Sequence, residues 1–433
     1  MKKYKFLVPL FLLVIFIASF YSLYNAKIDT LNQYNMYVNA AREYRKQGIE
    51  VDAFSNYLSA IEMNPSPELY LEVGEYYCEL NQTKKAINWG ETFLEAYPKV
   101  ASPYEFLIDL YMKTKDYVAC FDLADVLKKR ELTSLKIEEN LKEIEYEFYF
   151  NGEYDDVLLF SNSRCPVLVG DKWGYASANG GLSVGARFLK VGAFLNNLAP
   201  VVDIKGDAYF IDSQGNKKYV VLGVENVVEL GPMSEGVYAL YDGNSWSFYN
   251  QNHIQIFGGY HAVSSISNGV VAVEHDGVWS LVNMQGTDLT GKTYDGVAMD
   301  ENSIMFRNNR IFVSNDSQYD MIDVTGAICS KQKYEDVRIF NDSTYAAVKI
   351  DGKWGFIDAL GDIKIEAKYE DARSFSYGFA AVKTEGVWGF IDMNGNFVIE
   401  PQFVDAKDFN VNGSVFVNRG RCWELLKLYK YNH

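Results

Sequence analysis

Eight aromatic positions recur at nearly even spacing. Trp173, Tyr209, Trp246, Trp279, Tyr319, Trp354, Trp388 and Trp423 follow one another at intervals of 36, 37, 33, 40, 35, 34 and 35 residues. Six of the seven tryptophans stand in this register, the exception being Trp89. A period of this length restricts the chain to a repeat architecture, in which each copy leaves a face that only its neighbour can cover.

The local chemistry of the repeat is that of a strand running into a tight turn. Asp212, Asp323, Asp358 and Asp392 can accept hydrogen bonds at the first turn position, and Gly215, Gly326, Gly361 and Gly395 permit a positive φ three residues later. Asn283 and Gly286 repeat the arrangement, while the turn from Asn250 to His253 lacks the glycine. Trp354, Phe356 and Asp358 alternate with Gly355 and Ile357, the period of a strand packed on both faces. A second aromatic falls 15 places after the first at Phe188, Tyr294, Tyr334, Tyr369 and Phe403, and a third 21 places after it at Phe340, Phe375 and Phe409. Each copy therefore holds three or four short strands and leaves no room for a helix, so residues 155–430 form an all-β repeat domain.

Two architectures satisfy this pattern. A first strand spliced to an incomplete last unit gives a seven-bladed β-propeller; the alternative is an open β-repeat stack. The 40-residue interval predicts an insertion near residues 303–317.

At these positions the sequence resembles the WG-repeat family, on Trp173-Gly174, Trp354-Gly355 and Trp388-Gly389 and on the two copies that open WGFIDALG and WGFIDMNG. The resemblance runs over about 165–425, with Ser247, Ser280 and Asp320 standing in place of the glycine. It implies a bacterial protein with an interaction or surface-display role and no established chemistry.

Residues 31–150 carry a second rhythm. Ala41, Tyr44, Ala53 and Pro65 recur 33 places later as Gly74, Tyr77, Ala86 and Pro98, and Ile108, Tyr111 and Cys120 follow a further 34 on. Small residues at fixed places let paired helices approach, and proline ends the second helix of a pair. The pattern resembles tetratricopeptide repeats, which implies a groove for a peptide or partner protein. A fourth copy begins near Leu135 without a clear second helix.

Lys2, Lys3 and Lys5 precede an apolar run over residues 6–20, bounded by Tyr21 and Tyr24. Read to Tyr24 as a helix, it rises about 28 Å, the length of a membrane span. Residues 1–27 are thus expected to be an anchor with the body outside the cytoplasm, or a signal segment whose cleavage would release the body by secretion.

The formal charge of -16 disfavours nucleic acid. Five scattered cysteines form no disulfide framework or zinc cluster, and His253, His261, His275 and His433 match no catalytic or metal motif. No catalytic residue, cofactor site or metal site is expected. The repeated aspartates read as turn residues rather than as a convergent carboxylate pair. The resulting expectation is a membrane-anchored binding or scaffold protein, not an enzyme, whose partner is a protein or peptide, with a glycan as a second class and the membrane held through the N-terminal helix. An envelope-associated hydrolase with a composite site on the β domain is the alternative. Tyr241, Tyr249 and Tyr260, in the least regular copy, are the candidate contact residues.

Overall fold

The computed structural model describes residues 7–221, 227–342 and 344–431. The chain separates into two compact units, Met1–Glu145 and Tyr146–His433.

The first unit holds seven helices: α1 (Leu7–Gln47), α2 (Glu50–Met63), α3 (Pro67–Glu79), α4 (Thr83–Ala96), α5 (Ser102–Thr114), α6 (Tyr117–Lys129) and α7 (Leu135–Glu143). Their contacts follow the small residues. Ala41, Ala53, Ala60 and Ala86 are fully buried. A Cβ on Gly74 would lie 2.5 Å from the Phe106 ring, and one on Gly90 would lie 2.5 Å from Leu107, so the two glycines admit α5 against α3 and α4. Polar ties fix the pairing of α1 with α3. Arg42 donates twice to Glu72 at 2.8 Å, Arg45 donates to Glu79 at 2.9 Å, and the Tyr57 hydroxyl donates to Glu72 at 2.7 Å. Burial works against the Glu72 charge, but Arg42 and Tyr57 outweigh it and hold the carboxyl below its ordinary range.

The membrane expectation is corrected here. Lys2, Lys3, Lys5 and Phe6 lie outside the described residues, and among the described residues no helix is long and apolar enough to cross a membrane. The apolar run instead opens a helix of 41 residues that continues without a break through Lys27 and Asp29 to Gln47, where Val38 and Ala41 are buried in the helical core. An N-terminal transmembrane helix, membrane anchoring, a membrane partner and an extracytoplasmic placement of the body by that anchor therefore have no spanning helix to rest on.

The second unit consists of seven sheets, and the seven-stranded one contains two copies of the repeat, so eight copies are present. The sixth copy shows the pattern: Asp336–Val337, Ala346–Ile350, Lys353–Ile357 and Ile363–Tyr369 run antiparallel in order. The first aromatic pairs across strands with the second: Trp354 faces Tyr369, Trp388 faces Phe403 and Trp173 faces Phe188. Trp279 faces Tyr294 and Tyr319 faces Tyr334 as single bridges. Core clusters draw on two neighbouring copies at a time. One combines Trp354, Phe356 and Tyr369 with Phe375, Val382 and Ile391 of the next copy.

The seven-bladed propeller is corrected to eight copies in open-edged sheets of unequal size. The first strand, Phe148–Tyr154, does complete the last copy, with Tyr154 facing Trp423, but a whole further copy begins after it at Asp156. Among the described residues no sheet closes on itself, and Leu182–Val191 runs from the first copy into the second, which makes one continuous seven-stranded sheet.

The glycine after the tryptophan has a steric cause. The strand facing it is bulged, with register shifts on either side of Phe356 and of Phe390, the first of each pair spanning the glycine, and the bulge brings backbone against that glycine. A Cβ on Gly355 would lie 2.7 Å from both the Ile365 oxygen and the Ala367 nitrogen, and one on Gly389 would lie 2.7 Å from the Ile399 oxygen and the Pro401 nitrogen. Copies with Ser280 and Asp320 at this place have three-stranded sheets, their outer strand reduced to isolated bridges. Ser247 keeps a fourth strand because Gly258 stands opposite, where a Cβ would lie 2.1 Å from the serine oxygen.

Candidate binding site on the inner face

The turn residues act locally. Asp358 accepts from the backbone of Leu360 and Asp362 at 2.9 and 3.0 Å, and Asp392 from Asn394 and Asn396 at 2.9 Å each. Asp212 and Asp323 do the same for Gln214 and Asn216 and for Thr325 and Ala327. Gly215, Gly326, Gly361 and Gly395 take φ of 81°, 79°, 77° and 82°. In the copy without glycine His253 adopts φ 60° itself, with its Nδ1 2.7 Å from the Tyr238 hydroxyl. The bond from Lys218 holds the Asp212 carboxyl well below its ordinary range, and that from Thr325 lowers Asp323. For Asp358 and Asp392 partial burial works the other way and is outweighed by the hydrogen bonds. The four aspartates stand one per copy and do not converge.

Of the register aromatics, Trp354, Trp388 and Trp423 are 3%, 7% and 7% exposed, whereas Trp173, Tyr209, Trp246, Trp279 and Tyr319 are half-buried. Counted back from its turn aspartate, Tyr209 stands in the place of Gly355, with Ala208 in the place of the aromatic. Tyr241 stacks on Trp246 at 5.4 Å, Tyr249 on Tyr238 at 5.9 Å, and Tyr260 is the cross-strand partner of Trp246. All three belong to the packing of their copy.

A different set of side chains converges. In every copy the residue after the first strand donates its backbone N–H to the next strand, which defines one equivalent position: Leu158, Gly192, Gly231, Ser264, Ala298, Arg338, Arg373 and Lys407. The first five are small or apolar; the last three, on consecutive copies, are basic. Arg338 lies over the Trp354 ring at 4.8 Å and Lys407 over Trp423 at 5.1 Å, so the repeated indole also supports the cation beside it. The signal was present in the sequence, since each basic residue stands four places after the second aromatic, at Tyr334, Tyr369 and Phe403.

A carboxylate already sits on this arc. Glu301 accepts from Arg373 at 3.0 Å and from Lys407 at 2.7 and 2.9 Å. It is carried by the insertion responsible for the 40-residue interval. Thirteen residues, 298–310, join the first two strands of the fifth copy, where the seventh and eighth copies use seven, 373–379 and 407–413. The insertion thus begins five residues before the expected 303–317 and overlaps it over 303–310. Within it Asp300 accepts from the Asn302 and Ile304 backbone at 2.8 and 2.9 Å, the same turn chemistry as the hairpins. Ser265 of the fourth copy holds the other side, donating its N–H to the Ser303 oxygen at 2.7 Å and its hydroxyl to the Asn302 oxygen at 2.8 Å.

Beside the arc lies a cavity of about 490 Å³ lined by Asp300, Glu301, Arg338, Asn341, Asp371, Arg373, Lys383, Trp388, Asp405 and Asp408, among others. Burial pushes the Asp408 carboxyl up in spite of the Arg373 charge beside it, and pushes Asp300 up in spite of Arg307. Glu301 goes the other way: burial is outweighed by Arg373 and Lys407, which hold it ionised. The Asp408 Oδ1 and the Arg373 Nε are shut off from solvent without a hydrogen-bond partner. Such atoms can accept or donate to an entering polar group without giving up an existing bond.

Fold and site define a β-repeat protein with a helical unit and a charged cavity in the β-repeat unit. A family model described as WG containing repeat matches residues 321–354, 354–388 and 388–420. The resemblance drawn over 165–425 together with an anchor is corrected to that reach: Tyr209, Ser247, Ser280 and Asp320 stand in place of the glycine, Ser177 stands in place of the turn aspartate in the first copy, and no spanning helix is described. No curated protein matches the chain. Among solved structures, BamB from Moraxella catarrhalis is 10% identical, covering 65% of this chain and 99% of its own, with a TM-score of 0.43. Hsv2 of Kluyveromyces lactis is 12% identical over 64% and 99%, with a TM-score of 0.39, and the WD40 β-propeller domain of Doa1 is 12% identical over 64% and 94%, with a TM-score of 0.36. Likenesses this weak leave the function to the residues of this chain.

Proposed function

We propose that the protein is a non-catalytic binding scaffold whose β-repeat domain takes up a carboxylate-bearing segment of a protein partner at the basic arc. The observation that carries this reading is Glu301, a carboxylate of the chain itself seated on Arg373 and Lys407 while the equivalent Arg338 makes only long ion pairs of 3.9 and 3.7 Å. Charge-assisted bonds to carboxylates are strong because both partners are ionised, and a partly buried arc is screened less than surface charges. A cavity of this size suits one or two side chains of an extended segment. The reading as a scaffold rather than an enzyme is supported by the dispersal of the turn aspartates, one per copy. It replaces both the membrane-anchored binder and the envelope-associated hydrolase.

The test is a titration of the full chain with an octa-glutamate peptide, followed by the fluorescence of the tryptophans that line or support the arc. Saturable binding is expected, weakened about tenfold, the equivalent of about 1.4 kcal/mol, in Arg338→Gln. An unchanged affinity in that variant, or no binding at low ionic strength, would refute the site.

A further inference from the structure

We propose a surface site for a divalent transition-metal cation of the zinc class, held by His261, His275 and Asp276. Their donor atoms lie within 4.8 Å of one another. The fold, not chance rotation, brings them together. His261 directly precedes Ala262–Val263, the strand that pairs with Val270–His275, and donates its N–H to the Glu274 oxygen at 3.0 Å, so the ladder carries it to the end of the strand on which His275 stands. Asp276 and Gly277, at φ 50° and 85°, form the hairpin turn that follows, and Glu274 Oε1 accepts from the Gly277 N–H at 2.5 Å. The two imidazoles meet edge to face at 5.7 Å.

Two imidazoles and a carboxylate are the donor set of zinc and its neighbours rather than of calcium or magnesium, which take oxygen. Tetrahedral bonds of about 2.1 Å place donors about 3.4 Å apart. The site closes from 4.8 Å by side-chain rotation, which the exposure of the three side chains (57%, 62% and 83%) leaves free. Glu274, 14% exposed, has Oε2 3.6 Å from the His261 Nδ1, near enough for a small rotation of the ring to give the outer carboxylate that orients metal-ligating histidines. Three protein donors leave a coordination position open, so the site could also take a ligand from a second molecule.

The experiment is calorimetric titration of the tag-free full chain with Zn²⁺, repeated with Co²⁺ for its tetrahedral visible absorption and with Ca²⁺. One Zn²⁺ per chain at micromolar affinity is expected, weakened at least tenfold in His261→Ala and in His275→Ala, and unaltered in His253→Asn, which keeps a residue that tolerates the positive φ of that turn. All three variants are checked for an unchanged melting temperature. Failure of Zn²⁺ to bind at 100 μM, or binding that persists in both His261→Ala and His275→Ala, overturns the proposal. Calcium binding as tight as zinc does so too. The inner cavity plays no part in any of these outcomes.

Discussion

Replacing Gly355 by alanine tests why a glycine follows the repeated tryptophan. The new Cβ would stand 2.7 Å from the Ile365 oxygen and the Ala367 nitrogen and 2.9 Å from the Ala367 Cα. Ordinary contact begins near 3.4 Å, so the facing backbone must retreat by about 0.7 Å, and no flexible side chain is available to yield. Overpacking of this kind costs about 1–3 kcal/mol, and the backbone character of every close atom places it at the upper end. Relief of glycine's conformational entropy returns about 0.5–1 kcal/mol, which leaves a net loss near 2 kcal/mol. For a unit of this size that lowers the melting temperature by about 4–6 °C. The assay is thermal and urea unfolding beside Gly185→Ala, a position with nothing within 4 Å of the added carbon and no positive φ. The control is expected to stay within about 0.5 kcal/mol of the parent. Hydrogen exchange should rise in Ile363–Tyr369, the strand that must move. If Gly355→Ala proves as stable as Gly185→Ala, the bulge does not explain the glycine.

Two further outcomes follow from the same geometry. Gly258→Ala should destabilise by about 2–3 kcal/mol through its clash with Ser247 and be partly rescued by Ser247→Gly, a coupling that a double-mutant cycle in urea reads directly; additive losses would refute it. Asp212, Asp323, Asp358 and Asp392 all have carboxyls lowered in the folded state, so their contribution is complete above about pH 4, the unfolded value, and is lost as pH falls through the folded ones. Asp358→Asn should keep the turn, as Asn283 does with the same two backbone bonds, yet flatten the acid limb of the stability curve; an unchanged limb would show that the ionised carboxyl, held by Lys364 and the turn amides, contributes nothing.

The strands and turns were legible because each is a local matter: alternation sets the face, and an aspartate or asparagine with a residue of positive φ sets the turn. His253 shows the limit, since it holds the glycine conformation without being glycine. The number of copies was harder to read. Tyr154-Asp155-Asp156-Val157 repeats Tyr369-Glu370-Asp371-Ala372, but its partner, Trp423, lies at the far end of the chain, and a pairing of that separation leaves no local mark. The apolar N-terminal run reads as a span from its length, the lysines before it and the tyrosines after it, a local pattern that does not show the continuation of its helix into the buried Val38 and Ala41. The inner arc was missed for another reason. Arg338, Arg373 and Lys407 each look like an ordinary exposed residue after a strand, and only the fold makes their places equivalent and brings Arg373 and Lys407 to one carboxylate from an inserted turn. The histidine pair is similar: fourteen residues apart, His261 and His275 meet through the register of a hairpin.

The most direct test of the account is the affinity of octa-glutamate for Glu301→Gln against the parent chain, measured at equal ionic strength and with folding checked by melting. If Glu301 occupies the place of the partner's carboxylate, removing its charge frees Arg373 and Lys407, and the peptide should bind about tenfold more tightly. Equal or weaker binding would mean that the ion pair only braces the inserted turn, and that the arc is not where a partner is recognised.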